Sequence, residues 1–135
     1  MVGYSGTPLI KKLGIKEGHR VSFVNAPKGF RRGLGELPAD VVINAHGAEQ
    51  LDFILVFSKS ESSLQREFSI LARQLKANGM LWVSWPKKSS NVETDLRFEN
   101  VQRIGLDAGL VDVKICAIDD TWSGLKFVFR LRDRR

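Results

Sequence analysis

The sequence predicts an α/β domain in layers, a mostly parallel sheet with helices on its faces. Three observations point there. Short apolar, β-branched runs ("RVSFVN", "DVVINA", "LDFILVFS", "MLWVSW") recur along the 135 residues. The later runs alternate with stretches in which apolar residues return every three or four positions, the period of an amphipathic helix. Several of the runs are apolar almost throughout, as strands covered on both faces of a parallel sheet must be. A hydrophobic content of 43% suits one domain, residues 1–135, with a real core.

Taken in order, Thr7 is the predicted N-cap and Pro8 the first residue of a short helix that ends near Gly14. A strand follows from about Arg20 to Asn25, stopped by Asn25 and Pro27. "KGFRRGLGELPAD" carries too many helix breakers for a long helix. "DVVINA" and "LDFILVFS" are the next two strands. The clearest helix comes after them, with Leu64, Phe68, Leu71 and Leu75 at helical spacing and Gly79 as its left-handed cap. "MLWVSW" is a strand that Pro86 ends, with Trp82 and Trp85 expected in the core on opposite faces. A second helix takes Thr94 or Asp95 as cap, places Phe98, Val101, Gly105 and Ala108 on one face, and ends at Gly109. The last stretch, "VDVKICAIDDTWSGLKFVFRLR", is two strands whose short link makes them antiparallel neighbours. About six strands result, in a three-layer, Rossmann-like arrangement with right-handed crossovers and a closing antiparallel hairpin.

The net charge of +6 sits at the two ends: residues 1–32 hold seven Lys/Arg against one acid, and residues 126–135 hold five against one. Solubility accounts for most of this, and a nucleic-acid accessory role is the minority alternative. Cys116 is the only cysteine, so no intrachain disulfide can form. Its mid-strand position predicts an inert, buried thiol. The opening residues lack the basic-then-apolar order of a secretory signal, and no apolar run approaches membrane-spanning length. A cytoplasmic location is expected. His19 and His46 are too far apart, with no acid at ligand spacing, for a metal site to be expected.

The order "DFILVF", helix, "LKANGMLWVSW", helix, "AGLVDVKICAID", loop, "LKFVFRLR" resembles the second half of class I S-adenosylmethionine-dependent methyltransferases. "LGIKEGHRVSFVNAP" is similar to the approach to their first strand. The resemblance implies a truncated methyltransferase-like sheet of strand order 2-1-3-4-6-5. "GYSGTPLIKKLGI", "LWVSWPKKSS", "TDL" and "VDVKICAIDDTWSGLKFVFR" more closely resemble a small bacterial family of unknown function, which supplies no activity. The chain departs from methyltransferases at two points. Their glycine-rich turn after the first strand is Asn25-Ala26-Pro27-Lys28-Gly29-Phe30 here, and their acid after the second strand is replaced by Asn44, Ala45 and His46, with Glu49 the nearest carboxylate. No cofactor is therefore predicted, with S-adenosylmethionine kept as the alternative.

In an open α/β sheet, ligands bind beyond the carboxyl ends of the strands. That rule gathers a rim of candidate residues: Asn25 and Lys28 after the first strand, Lys59 after the third, Lys87, Lys88 and Ser89 after the fourth, and Asp119, Asp120, Trp122 and Ser123 in the closing hairpin. Asp119 and Asp120 read first as turn residues. Trp122 is the least expected in a loop and the first choice for a ligand or partner contact. No catalytic residue stands out, since neither a nucleophile elbow nor a phosphate loop is present. The expected function is a non-catalytic domain that binds a small anionic ligand or a protein partner. A methyltransferase with an atypical cofactor site is the alternative.

Overall fold

The structure, a computed structural model, describes residues 7–45, 47 and 50–134. His46 and Glu49, weighed above as a metal ligand and as a cofactor-binding acid, lie outside the described residues. Helix α1, Leu9–Leu13, starts one residue later than expected: Pro8 is its N-cap, and Gly14 closes it at φ 92°. Strand β1 is Arg20–Val24. Helix α2, Phe30–Leu34, is a single broken turn between Gly29 and Gly35. Strand β2 shrinks to Val42–Ile43, because Asp40 and Asn44 take left-handed conformations on either side of it.

Strand β3, Leu51–Phe57, is buried along nearly its whole length. Helix α3, Glu61–Ala72, begins where the Ser60 hydroxyl accepts the Ser63 amide. It ends earlier than expected. The backbone turns at Gln74, whose carbonyl accepts the amides of Gln50 and Leu51, and Leu75 then pairs with Leu51 as the first residue of β4, Leu75–Pro86. Leu75 keeps helical spacing with Leu71, yet tertiary pairing assigns it to the sheet. Gly79 is therefore no helix cap: it lies within β4, where a Cβ would stand 2.8 Å from the Leu75 side chain and 2.9 Å from the Leu51 carbonyl. A bulge between the Leu51–Leu75 and Phe53–Met80 pairs takes up the extra residues.

Helix α4, Phe98–Asp107, has Arg97 as N-cap, with the Arg97 amide donating to Asn100 Oδ1 at 2.7 Å. Neither Thr94 nor Asp95 caps it. Strands β5, Leu110–Ala117, and β6, Trp122–Phe129, close the fold as an antiparallel hairpin. The sheet order is β2-β1-β3-β4-β6-β5, parallel from β2 to β4, with β6 inserted antiparallel beside β4. This is the six-stranded, mixed, truncated arrangement expected. β6 is interior, and β5 is the edge strand, with Val113 54% and Ile115 57% exposed.

The core has two halves. Leu64 and Phe68 of α3 and Val101 and Ile104 of α4 pack on Ile54, Val56, Leu81, Val83 and Trp85. Leu13 and Leu34 pack on Val21, Phe53, Leu55, Phe57 and Trp82 on the other face. The two tryptophans of β4 thus divide between the faces, and Trp82 Nε1 donates to the Leu13 carbonyl at 2.9 Å, satisfying the polar atom of a fully buried indole. Cys116 is half-buried on edge strand β5, less enclosed than expected, because among the described residues no further strand covers that edge. Among the described residues no helix is long and apolar enough to cross a membrane.

Candidate functional site

β1 neighbours β2 on one side and β3 on the other, so its carboxyl end is where the strand order reverses. A crevice between diverging loops is expected at such a point. The chain provides one. After β1, Asn25 (φ 59°) and Gly29 (φ 87°) take left-handed conformations that turn the backbone through Pro27. After β3, the backbone of Ser58 pairs with Ser84, and the loop Ser58–Ser60 leads into α3. Between these loops lies a cavity of about 400 Å³, within the range of small-ligand sites. Asn25, Pro27, Phe57 and Lys59 line it from the strand ends, Ser60 from the N-cap of α3, Ser63 and Glu67 from α3 itself, and Trp122 from the hairpin.

The β3–α3 loop is held rigidly by the residues expected to cap α4. Thr94 Oγ1 donates to the Lys59 carbonyl at 2.7 Å, and Asp95 Oδ1 accepts the Glu61 amide at 2.8 Å. Trp122 is fixed from both directions. Its ring meets Phe57 edge-on at 5.1 Å, Phe57 meets Phe30 at 5.0 Å, and Phe30 meets Phe23 at 5.4 Å. Its amide donates to Asp119 Oδ1 at 2.8 Å, as does the amide of Thr121. Asp119 is thereby an Asx-turn residue, as the sequence suggests. The indole remains partly exposed, an anchored aromatic wall.

The structure brings together three of the ten predicted rim residues in this cavity: Asn25, Lys59 and Trp122. Lys28 and Asp119 line a smaller cavity of about 270 Å³, which shares Pro27 with the first. Lys87, Lys88, Ser89, Asp120 and Ser123 line neither. The Lys87 amide donates to the Thr121 carbonyl at 2.7 Å, tying β4 to the hairpin loop. Lys88 and Ser89 are exposed in a 3-10 turn. Ser123 pairs with Trp85 and Ala117 within the sheet.

Ser60, Ser63 and Glu67 were missing from the predicted rim. They recur along one side of α3, beside the apolar stripe of Leu64 and Phe68, and that polar stripe was the available signal. A larger cavity, about 990 Å³, opens at the amino end of β4 beside Arg73, Lys76 and Phe129. It lies at the sheet end opposite the strand carboxyl termini, beside the β4 bulge. The fold gives that end no convergent loops.

No family model matches the chain, and no curated protein matches it in sequence. Solved structures match in fold. A methyltransferase dependent on S-adenosylmethionine from Aquifex aeolicus shares 19% identity at TM-score 0.60, over 88% of this chain and 86% of that one. A TehB-like S-adenosylmethionine-dependent methyltransferase from Corynebacterium glutamicum shares 11% at 0.58, over 90% and 85%. Magnesium protoporphyrin IX methyltransferase from Synechocystis, solved with bound S-adenosylhomocysteine, shares 10% at 0.60, over 90% and 78%. The fold is methyltransferase-like. At these identities the likeness extends to the fold alone.

The cavity can be tested against an adenosyl cofactor on its own residues. Pro27 removes one backbone donor from the turn after β1, and exposed Asn44 stands where an acid would follow β2. Gly29, in the same turn, is exposed and lines the neighbouring smaller cavity instead. Trp122 offers an aromatic surface, and α3 places the Glu67 carboxylate in the cavity. The groups present fit an adenosyl ligand held differently from the usual pattern. Among the described residues no group of three or more His, Cys, Asp or Glu could hold a metal ion.

Proposed function

We propose that the chain, acting as one domain, binds S-adenosylmethionine in the β1–β3 cavity and serves as a methyltransferase with an atypical cofactor site. One observation carries the reading: the cavity stands at the point where the strand order reverses, walled by an anchored tryptophan and backed by a methyltransferase-like sheet. Bound there, S-adenosylmethionine would supply an electrophilic methyl group on its sulfonium. The protein's part is to hold it: Trp122 and Phe57 pack against apolar surface, and Lys59, Ser60 and Ser63 offer cationic and hydroxyl partners. A cytoplasmic location belongs to this reading.

A second reading, a non-catalytic small-ligand domain of the same fold, draws on Pro27 and on Asp119. Pro27 weakens the cofactor turn, and the Asp119 oxygen that accepts two backbone amides is committed to the hairpin. Titration calorimetry with S-adenosylmethionine and S-adenosylhomocysteine separates the two. Binding is expected in the parent and at least about tenfold weaker in Trp122→Ala, the loss typical of a buried aromatic anchor. Absence of binding at millimolar ligand removes the methyltransferase reading and leaves the second.

A further inference from the structure

The β1–β3 cavity contains a carboxylate that the protein itself leaves largely unserved. Glu67 Oε1 is buried and has no hydrogen-bond partner. Glu67 Oε2 accepts a contact of 3.4 Å from Asn25 Nδ2, and the same nitrogen is 3.4 Å from the Phe57 carbonyl. Both distances lie beyond the usual N–H···O range. Nearby cations turn elsewhere: Arg66 donates to Ser63 Oγ, and Arg103 pairs with Glu61 at 2.7 Å. Neither of the two ion pairs among the described residues includes Glu67. A buried carboxylate oxygen without a partner lowers stability, and because Glu67 lines the cavity, rotation of its carboxylate would present that oxygen to a donor there.

The cavity walls carry both signs of charge. Glu67 and Asn25 stand on the side of β1 and α3, whereas Lys59 and the Ser60 hydroxyl lie at the start of α3. A ligand group that presents an ammonium and a carboxylate on one carbon satisfies both. We infer that Glu67, beside Asn25, receives the ammonium of an α-amino-carboxylate, the amino-acid end of the adenosyl ligand. Lys59 and the α3 hydroxyls face its carboxylate, and Trp122 takes the apolar part. The inference rests on the methyl-donor reading above and assigns the amino-acid end of that ligand to Glu67. The anionic ligand predicted from the sequence becomes a zwitterion, because the structure adds Glu67 to the lysine.

The test compares S-adenosylhomocysteine with 5′-methylthioadenosine, which keeps the nucleoside and lacks the amino-acid end. Both are titrated into the parent, Glu67→Gln and Trp122→Ala, with the melting temperature of each variant recorded to establish folding. Glu67→Gln is expected to weaken S-adenosylhomocysteine about tenfold or more, the scale of a hydrogen bond to a charged group, and to leave 5′-methylthioadenosine unchanged. Equal weakening of both ligands overturns the assignment to the ammonium. Unchanged S-adenosylhomocysteine affinity in Glu67→Gln, alongside a loss in Trp122→Ala, overturns the inference and keeps the methyl-donor reading. No binding to the parent removes both.

Discussion

Ser84 illustrates how single residues near the carboxyl rim trade stability against shape. It is fully buried in β4, opposite Phe57 and Gly124, and its Oγ has no hydrogen-bond partner. A buried hydroxyl in that state costs free energy that an alanine does not. Ser84→Ala is expected to stabilise the protein by about 1 kcal/mol, read as a higher urea midpoint at unchanged slope. A lower midpoint would mean that the hydroxyl has a partner in solution. Gly124, across the strand, shows the complementary constraint. A Cβ there would stand 2.8 Å from the Ile118 side chain and 3.2 Å from the Trp82 ring, so a larger residue would have to displace Ile118 and crowd Trp82. That close approach brings Trp122 over Phe57.

The connections of α3 and α4 decide how firmly the cavity is held. Asp95 lies in the loop before α4 but accepts the Glu61 amide at the first turn of α3, beside the Lys59 carbonyl that Thr94 binds. Its carboxylate therefore acts as a cap for a helix thirty-odd residues earlier in the chain, with its charge at the favourable end of the helix dipole. Asp95→Ala is expected to cost about 1 kcal/mol, as loss of a capping side chain does, and to raise hydrogen exchange at the Glu61 amide. Normal protection of that amide would show that the contact contributes nothing. In α4, a Cβ on Gly105 would overlap the edge of the Phe127 ring, so Gly105→Ala is expected to destabilise by about 3 kcal/mol, the upper end for an overpacked core, in chemical denaturation. The sequence made the strands, both long helices and the antiparallel hairpin legible, because apolar period and glycine positions are local signals. The end of α3 was not legible, since Leu75 keeps helical spacing and only its pairing with Leu51 makes it a strand residue. Trp122, Asn25 and Lys59 were legible because each follows or begins a strand. Glu67 was not, since a polar residue inside an amphipathic helix reads as solvent-facing until β1 is placed beside it.

Across the whole molecule, charge gathers away from the cavity, where α1 meets the β5–β6 hairpin. Lys114 Nζ donates to the Lys12 carbonyl at 3.0 Å, and Lys126 is paired with Lys114 across the hairpin. Burial, and then the charges of Lys114 and Lys16, hold Lys126 below the ordinary lysine pKa. Burial pushes the Cys116 thiol above its ordinary value, although Lys114 and Lys12 oppose the shift. These two residues give opposite linkage signs. For Lys126 the unfolded chain binds its proton more tightly, so stability rises with pH between the lowered folded pKa and the ordinary range near ~10.4. For Cys116 the folded state keeps its proton longer, so stability falls as pH rises from the unfolded thiol value toward the folded one. The opposing slopes overlap in the alkaline range and mask each other in the parent. Cys116→Ser should expose the lysine contribution as a melting temperature that rises as pH passes the lowered folded pKa of Lys126 toward ~10.4, before general alkaline unfolding. Adding Lys126→Gln to that background should flatten the rise and increase the melting temperature at neutral pH, where the charged lysine disfavours the fold. Because Lys126 is only partly buried, added salt should shrink the difference between the two variants by screening Lys114 and Lys16. A salt-independent difference would assign the effect to burial of the lysine rather than to its neighbours, and identical pH profiles for the two variants would rule out Lys126 as its source.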